Sequence, residues 1–309
     1  MGSESIEWPT KSYDIRNAVF DSTLWNDLEY RNDDIVVASW AKSGTTWVQQ
    51  IVGQLIFNGA EAVPVERISP WYECILVPHV NIKKSIKAQT HRRFLKTHLP
   101  LDALTFSPKA KYLYCGRDGR DVAWSLHHHH SNFTAQFYDQ VNANLVSEAE
   151  LSQRFLPATA DVVGYFREWL AGDGYPFWPF WGHIRSWWNA RHLPNLMFLH
   201  FAELKRDMPE QIRRIARFLD IPIDERRWPA IVEHCTFDYM KQNAQHVAPF
   251  GGALWEGGAS TFMHRGTNGC WRDLLTTEDV RAYEERSERE LGEECARWLA
   301  TGKLGGALT

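Results

Sequence analysis

Apolar, largely β-branched or aromatic residues gather into short runs near 34–39, 93–97, 111–115 and 196–200, with helical stretches between them. Short continuous apolar runs are what strands buried on both faces look like. Their alternation with helices predicts an α/β fold: a single domain, 1–309, with a central parallel sheet flanked by helices. Residues 1–33 form an N-terminal segment, and 241–275 a covering loop over the cofactor and substrate side. Regions 60–92, 131–182 and 241–265 are less regular and rich in Trp, Phe, Pro and Gly. No internal repeat or low-complexity linker interrupts the chain.

The most informative stretch is Ile35 to Trp47. It reads as a buried strand, a tight turn carrying Lys42, Ser43 and Gly44, and a helix opening at Thr45-Thr46-Trp47. Glycine lets the backbone approach a ligand closely. The helix start aims free N–H groups and a positive dipole end at the turn, which makes an anion site. The nucleotide loop G-x-x-x-x-G-K-[ST] is absent, because Lys42 precedes Gly44 instead of following it. That order argues against ordinary ATP or GTP hydrolysis.

Three further pieces accompany the turn. Lys96 and His98 stand two apart at the end of the run 93–97, so they share one face of a strand. A histidine can accept a proton near neutral pH. Arg117 and Ser125 bracket a turn and a helix start, where a guanidinium fork and a hydroxyl suit a second phosphate. His264, Arg265 and Gly266 begin a late glycine-bearing loop whose N–H groups can close on an anion. Taken singly, they read as a histidine that is more often structural, an arginine that could pair with Asp118 or Asp121, and an ordinary loop.

In this order the four pieces resemble the cytosolic, PAPS-dependent sulfotransferase family, PAPS being 3′-phosphoadenosine 5′-phosphosulfate. The family's Y-P-K-S-G-T-T-W stands as Trp40 to Trp47, and its K-T-H-L-P is intact at Lys96 to Pro100. Its R-x-x-x-D-V-x-x-S matches Arg117, Asp121, Val122 and Ser125, and its R-K-G-x-x-G-x-W matches as His264 to Trp271. The resemblance runs from about Asp34 to Thr276 and implies a P-loop-like fold. The enzyme it implies moves a sulfuryl group from PAPS to a hydroxyl or amine of a small aromatic or hydrophobic acceptor, leaving PAP. Catalytic residues would be His98 as base, with Lys42, Lys96 and Ser125. Cofactor contacts would come from Lys42, Ser43, Gly44, Thr45, Thr46, Trp47, Arg117, Ser125, Phe177, Cys235, Phe237, His264, Arg265 and Gly266. No metal is required by this chemistry.

Several positions depart from the family pattern. His264 replaces an arginine at the 3′-phosphate, which would make that contact pH-dependent. Cys235 replaces a threonine, Phe177 a tyrosine near the adenine, and Cys270 an aspartate. The dimer segment of animal members is poorly matched by Arg272 to Arg281, so monomer and dimer both remain open. A P-loop kinase or other phosphotransferase, and a non-catalytic nucleotide-binding protein on the same fold, are the alternatives.

Composition adds limits. A net charge of −4 excludes a general field for nucleic acid or membrane, so any basic site is local. No membrane span or signal peptide is visible. Five cysteines without CxxC pairing suit a reduced, cytoplasmic setting. The run His127 to His130 does not converge on one ion, since successive helical residues diverge. One or two of these histidines are expected to line the acceptor pocket and the rest to face solvent.

Overall fold

The computed structural model describes residues 6–145 and 154–304. Its sheet has four parallel strands: β1 (Ile35–Ala38), β2 (Phe94–Thr97), β3 (Lys111–Gly116) and β4 (Leu196–His200), in the order β2-β1-β3-β4. All four expected strands are present, within a residue or so at each end. Ile35 sits between Phe94 and Lys111, and Tyr112 pairs with Leu196.

Strand residues alternate between two cores, as the period of two requires. Val36, Ala38, Leu95, Tyr112, Tyr114 and Phe198 face an aromatic layer that includes Trp169, Trp181, Trp187 and Trp298. Ile35, Val37, Phe94, Leu113, Cys115 and Leu199 face the aliphatic side of Thr45–Ile56 and Met208–Leu219. Burial on both faces explains why the strands read as unbroken apolar runs.

The sheet order places the site. The chain leaves β1 toward β2 on one side, then crosses back to β3 on the other. In such open sheets ligands bind beyond the carboxyl ends of the strands where the order reverses. The turn after β1 and the turn after β3 meet there, and carry Lys42 and Arg117. The helix after β3, Gly119–Ser131, is capped by Asp118, whose side chain accepts from Arg120 N–H at 3.0 Å.

The described part of the N-terminal segment joins the body, because Phe20 and Trp25 are wholly buried in the aromatic core. A third cluster, including Cys74, Leu76, Phe133, Phe137, Phe155 and Trp255, forms under the irregular regions. No described helix is long and apolar enough to cross a membrane.

Candidate functional site

The turn after β1 is built to hold an anion. Lys42 adopts φ 61° and Gly44 φ 109°, so the chain reverses sharply before the helix. A side chain at Gly44 would press on Phe201 Cδ2 at 3.0 Å and on Cys115 Sγ at 3.3 Å. The helix has no side-chain cap, and its first intrahelical donor is Val48 N–H, to Gly44 O at 3.0 Å. The N–H groups of Thr45, Thr46 and Trp47 therefore have no helical partner. Thr45 Oγ1 is hydrogen-bonded to Ser39, and Thr46 lines the cavity beside it.

That cavity has a volume of about 410 Å³. One end is polar, lined by Lys42, Gly44, Thr45, Thr46, Arg117, Ser125 and Arg265. The other is aromatic, lined by Trp71, Phe133, Phe137, Phe177, Trp178 and Trp255. Lys96 and His98 also line it.

His98 is pinned. Its Nδ1 lies 2.7 Å from the Ser39 carbonyl, so Nδ1 donates and Nε2 is left as the acceptor. Trp71 stands edge-on to the ring at 5.0 Å, and Trp178 packs at 5.6 Å. Burial, reinforced by Lys96, holds the imidazole well below its ordinary value, so it is neutral and basic in form at neutral pH. Glu73 anchors this strand end from beneath. One carboxylate oxygen accepts from His98 N–H at 2.6 Å, Trp71 Nε1–H at 2.6 Å and Thr97 Oγ1–H at 3.0 Å; the other accepts from Trp25 Nε1–H at 2.8 Å.

Cations share a buried site. Burial, with Arg117 and Lys96 adding to it, brings the Lys42 ammonium down to about 7. Burial brings Lys96 down to about 8, partly offset by Cys74 and Glu73. Its ammonium lies 4.9 Å from the Trp71 ring centre. Positive groups whose charge is disfavoured by burial and by one another are suited to a multiply charged anion.

Arg117 is not paired with the nearby acids. It donates to Lys42 O at 3.0 Å, Thr267 O at 2.7 Å and Asn268 Oδ1 at 3.1 Å, and its guanidinium lies over Phe201 at 4.2 Å. Asp118 pairs instead with Arg120, and Asp121 accepts from Gly269 N–H at 2.7 Å. Arg117 and Asp121 thus tie the late loop to the two phosphate-side turns. Gly266, at φ 60°, lets that loop pass over Phe237, where a Cβ would come within 2.6 Å.

The structure places the remaining expected residues as follows. Phe177 lies at the aromatic end, against Trp40, Phe155, His130 and Trp178. The aromatic packed on Trp47 is Phe201, at 5.4 Å. The Cys235 thiol is wholly buried in the aliphatic core; its carbonyl accepts from Trp47 Nε1–H at 2.9 Å, and the neighbouring Thr236 reaches the cavity. The Ser43 side chain is buried beneath the turn, and its hydroxyl has no protein partner. His264 is stacked on His128 at 3.6 Å and on Trp124 at 5.4 Å. Burial, then His128 and Arg265, bring it down to about 4, so it carries no charge between pH 6 and 8. His128 and His129 line the cavity, as expected of part of the run, but His130 is buried, 2.8 Å from the Leu156 carbonyl, and not solvated. Among the described residues no group of three or more His, Cys, Asp or Glu could hold a metal.

The sequence reading missed Phe201 and Glu73. Phe201 follows the last residue of β4 directly, at the carboxyl end where sites form. Glu73 is a lone carboxylate within Trp-Tyr-Glu-Cys-Ile, and a charge inside an apolar run is the signal that marks it.

A family model described as the sulfotransferase domain matches residues 32–294. A glycolipid sulfotransferase of Mycobacterium tuberculosis is 28% identical over 312 residues, covering 94% of this chain and 94% of that protein. Mouse sulfotransferase 1B1 is 31% identical over 268 residues, covering 81% and 80%. Among solved structures, mouse sulfotransferase SULT7A1 complexed with PAP superposes with a TM-score of 0.69 at 23% identity, over 90% of each chain. Retinol dehydratase in complex with androsterone and PAP gives 0.65 at 24% identity, over 88% of this chain and 84% of that one. At these identities the two structures establish the shared fold.

Proposed function

The chain belongs to the sulfotransferase domain family, and we propose that it draws its sulfuryl group from PAPS and delivers it to a hydroxyl or amine of a small aromatic or hydrophobic acceptor. The observation that carries this reading is one cavity holding a neutral, oriented histidine beside buried cations. PAPS supplies the activated sulfuryl group and a phosphate leaving group.

The donor set fits such a molecule. The free N–H groups of Thr45, Thr46 and Trp47, with the threonine hydroxyls, suit its 5′-phosphate. Arg117 spends three donors on the protein and keeps two N–H bonds. With Ser125 and Arg265 it suits the 3′-phosphate. Trp47 packs on Phe201, and both line the cavity with Phe237, which suits them to the adenine.

The chemistry divides among the residues. His98 Nε2 takes the proton from the acceptor as its oxygen or nitrogen bonds to sulfur. Lys42 neutralises the charge left on the departing phosphate oxygen, and Lys96 steadies the sulfuryl oxygens and adds positive charge beside the 5′-phosphate. The aromatic end excludes water, which strengthens these charges and disfavours hydrolysis. Its wall of Trp, Phe and Pro supports an apolar acceptor. Five unpaired cysteines support a cytoplasmic setting.

The test is a PAPS-dependent screen of phenols, aliphatic alcohols and amines, with mass spectrometry of the product. A sulfated apolar acceptor supports the assignment. Turnover confined to highly charged acceptors refutes the reading of the aromatic end.

A further inference from the structure

The Lys42 ammonium is held from its aromatic side. Its Nζ lies 3.3 Å from His129 Nδ1 and 4.3 Å from the centre of the Phe262 ring. In its charged form Lys42 has no lone pair, so Nδ1 then accepts and the imidazole keeps its hydrogen on Nε2. Burial and the neighbouring lysine keep this ring neutral. His129 stands four residues beyond Ser125 on the Gly119–Ser131 helix, so both face the cavity. Phe133 at 4.8 Å, Trp255 at 4.7 Å and Phe262 at 5.8 Å fix the imidazole in the aromatic wall. His129 therefore joins the two halves of the cavity: its nitrogen meets the phosphate-side cation while its ring belongs to the acceptor wall.

We propose that His129 is a positioning residue, which anchors the flexible Lys42 ammonium against the aromatic wall and so sets the reach of that cation during transfer. The proposal rests on the transfer reading above. A lysine stem has four rotatable carbons and one point charge; its left-handed backbone fixes where the stem starts, and His129 fixes where it ends. The histidine touches neither reacting atom. Its effect passes through Lys42.

The experiment uses His129→Phe, which keeps an aromatic wall and removes the acceptor nitrogen, and His129→Asn, which supplies an oxygen acceptor at similar reach. The expected result for His129→Phe is a fall in kcat of about tenfold, the size of one hydrogen bond. Acceptor KM and PAP affinity should stay within about twofold. His129→Asn should recover most of the rate. In a Lys42→Met background the phenylalanine substitution should cause no further loss, because the two residues act as one unit. Should His129→Phe fold poorly, His129→Leu carries the same comparison. An unchanged kcat, an equal loss in the Lys42→Met background, or a raised acceptor KM with kcat intact each overturns the proposal.

A second readout does not depend on turnover. Methylated-lysine NMR follows the Lys42 titration directly. A neutral acceptor favours the charged amine, so removing it should lower the Lys42 midpoint. Arg117, Lys96, His128 and His264 also act on this cation and stay in place in the variant. An unmoved midpoint overturns the anchoring claim. Absence of any transfer from PAPS by the unmodified protein would instead defeat the transfer reading, with this titration still deciding the anchor.

Discussion

Binding of PAP should weaken steeply between pH 7 and pH 8, and the cause lies in two lysines. Lys42 titrates near 7 and Lys96 near 8, because both ammonium groups are buried and Lys42 also faces Arg117 and Lys96. A bound polyanion requires these groups charged, so binding takes up protons, and affinity falls as pH rises through their values. At pH 7 about half of Lys42 is charged, and at pH 8 about a tenth, a change worth about fivefold in affinity. Lys96 goes from nearly full charge to about half, which adds about twofold. Together they predict a loss of about tenfold, or about 1.4 kcal/mol. The ligand's own phosphate ionisation, near pH ~6, is almost complete in this window and acts in the opposite direction. Calorimetry in two buffers of different ionisation enthalpy measures both the affinity and the proton uptake. Lys42→Met should reduce the slope to about twofold. A flat affinity from pH 7 to 8, with no proton uptake, would refute the claim that depressed ammonium groups meet the anion.

Other substitutions test the remaining parts. His98→Ala should lower kcat by about 10²–10⁴-fold with PAP affinity intact; near-normal turnover of a folded variant would remove the histidine from the chemistry. Arg117→Ala should weaken PAP by roughly 1.5–3 kcal/mol more than it weakens AMP, and equal losses by calorimetry would show that Arg117 serves only the loop it ties. His264→Arg should raise PAP affinity yet leave the slope between pH 7 and 8 unchanged, since the native ring is neutral there; a flattened slope would place its titration in that window. Glu73→Gln puts an amide donor against either the Trp25 indole or the donors around His98, and should cost about 1.5–3 kcal/mol in urea unfolding together with a drop in kcat; an unchanged midpoint would show that the carboxylate does not hold the strand end.

What was legible in the sequence follows physical lines. The four strands were readable because a parallel sheet covered on both faces leaves unbroken apolar runs. The turn at Lys42 to Trp47 was readable because local chemistry fixes it: glycine, helix start and hydroxyls lie adjacent. Lys96 and His98 were placed together by the two-residue period of a strand. Contacts made across the fold were not readable. The contact of Phe201 with Trp47 is one of these, because only the register of β4 beside β3 brings Phe201 there. The stacking of His264 on His128 and Trp124 is another, because those partners come from a distant helix. Glu73 stands out locally as a charge in an apolar run, but its partners Trp25, Trp71 and His98 come together only in the fold.

The central claim is that this site moves a sulfuryl group from PAPS, and labelled donor measures it most directly. PAPS carrying radioactive sulfur, incubated with a panel of apolar hydroxyl acceptors in the presence of a metal chelator, should pass its label to an acceptor and release PAP in equal amount, with the label retained on PAPS in His98→Ala. Transfer of labelled phosphate from ATP in a magnesium-dependent reaction, with PAPS left intact, would contradict the account.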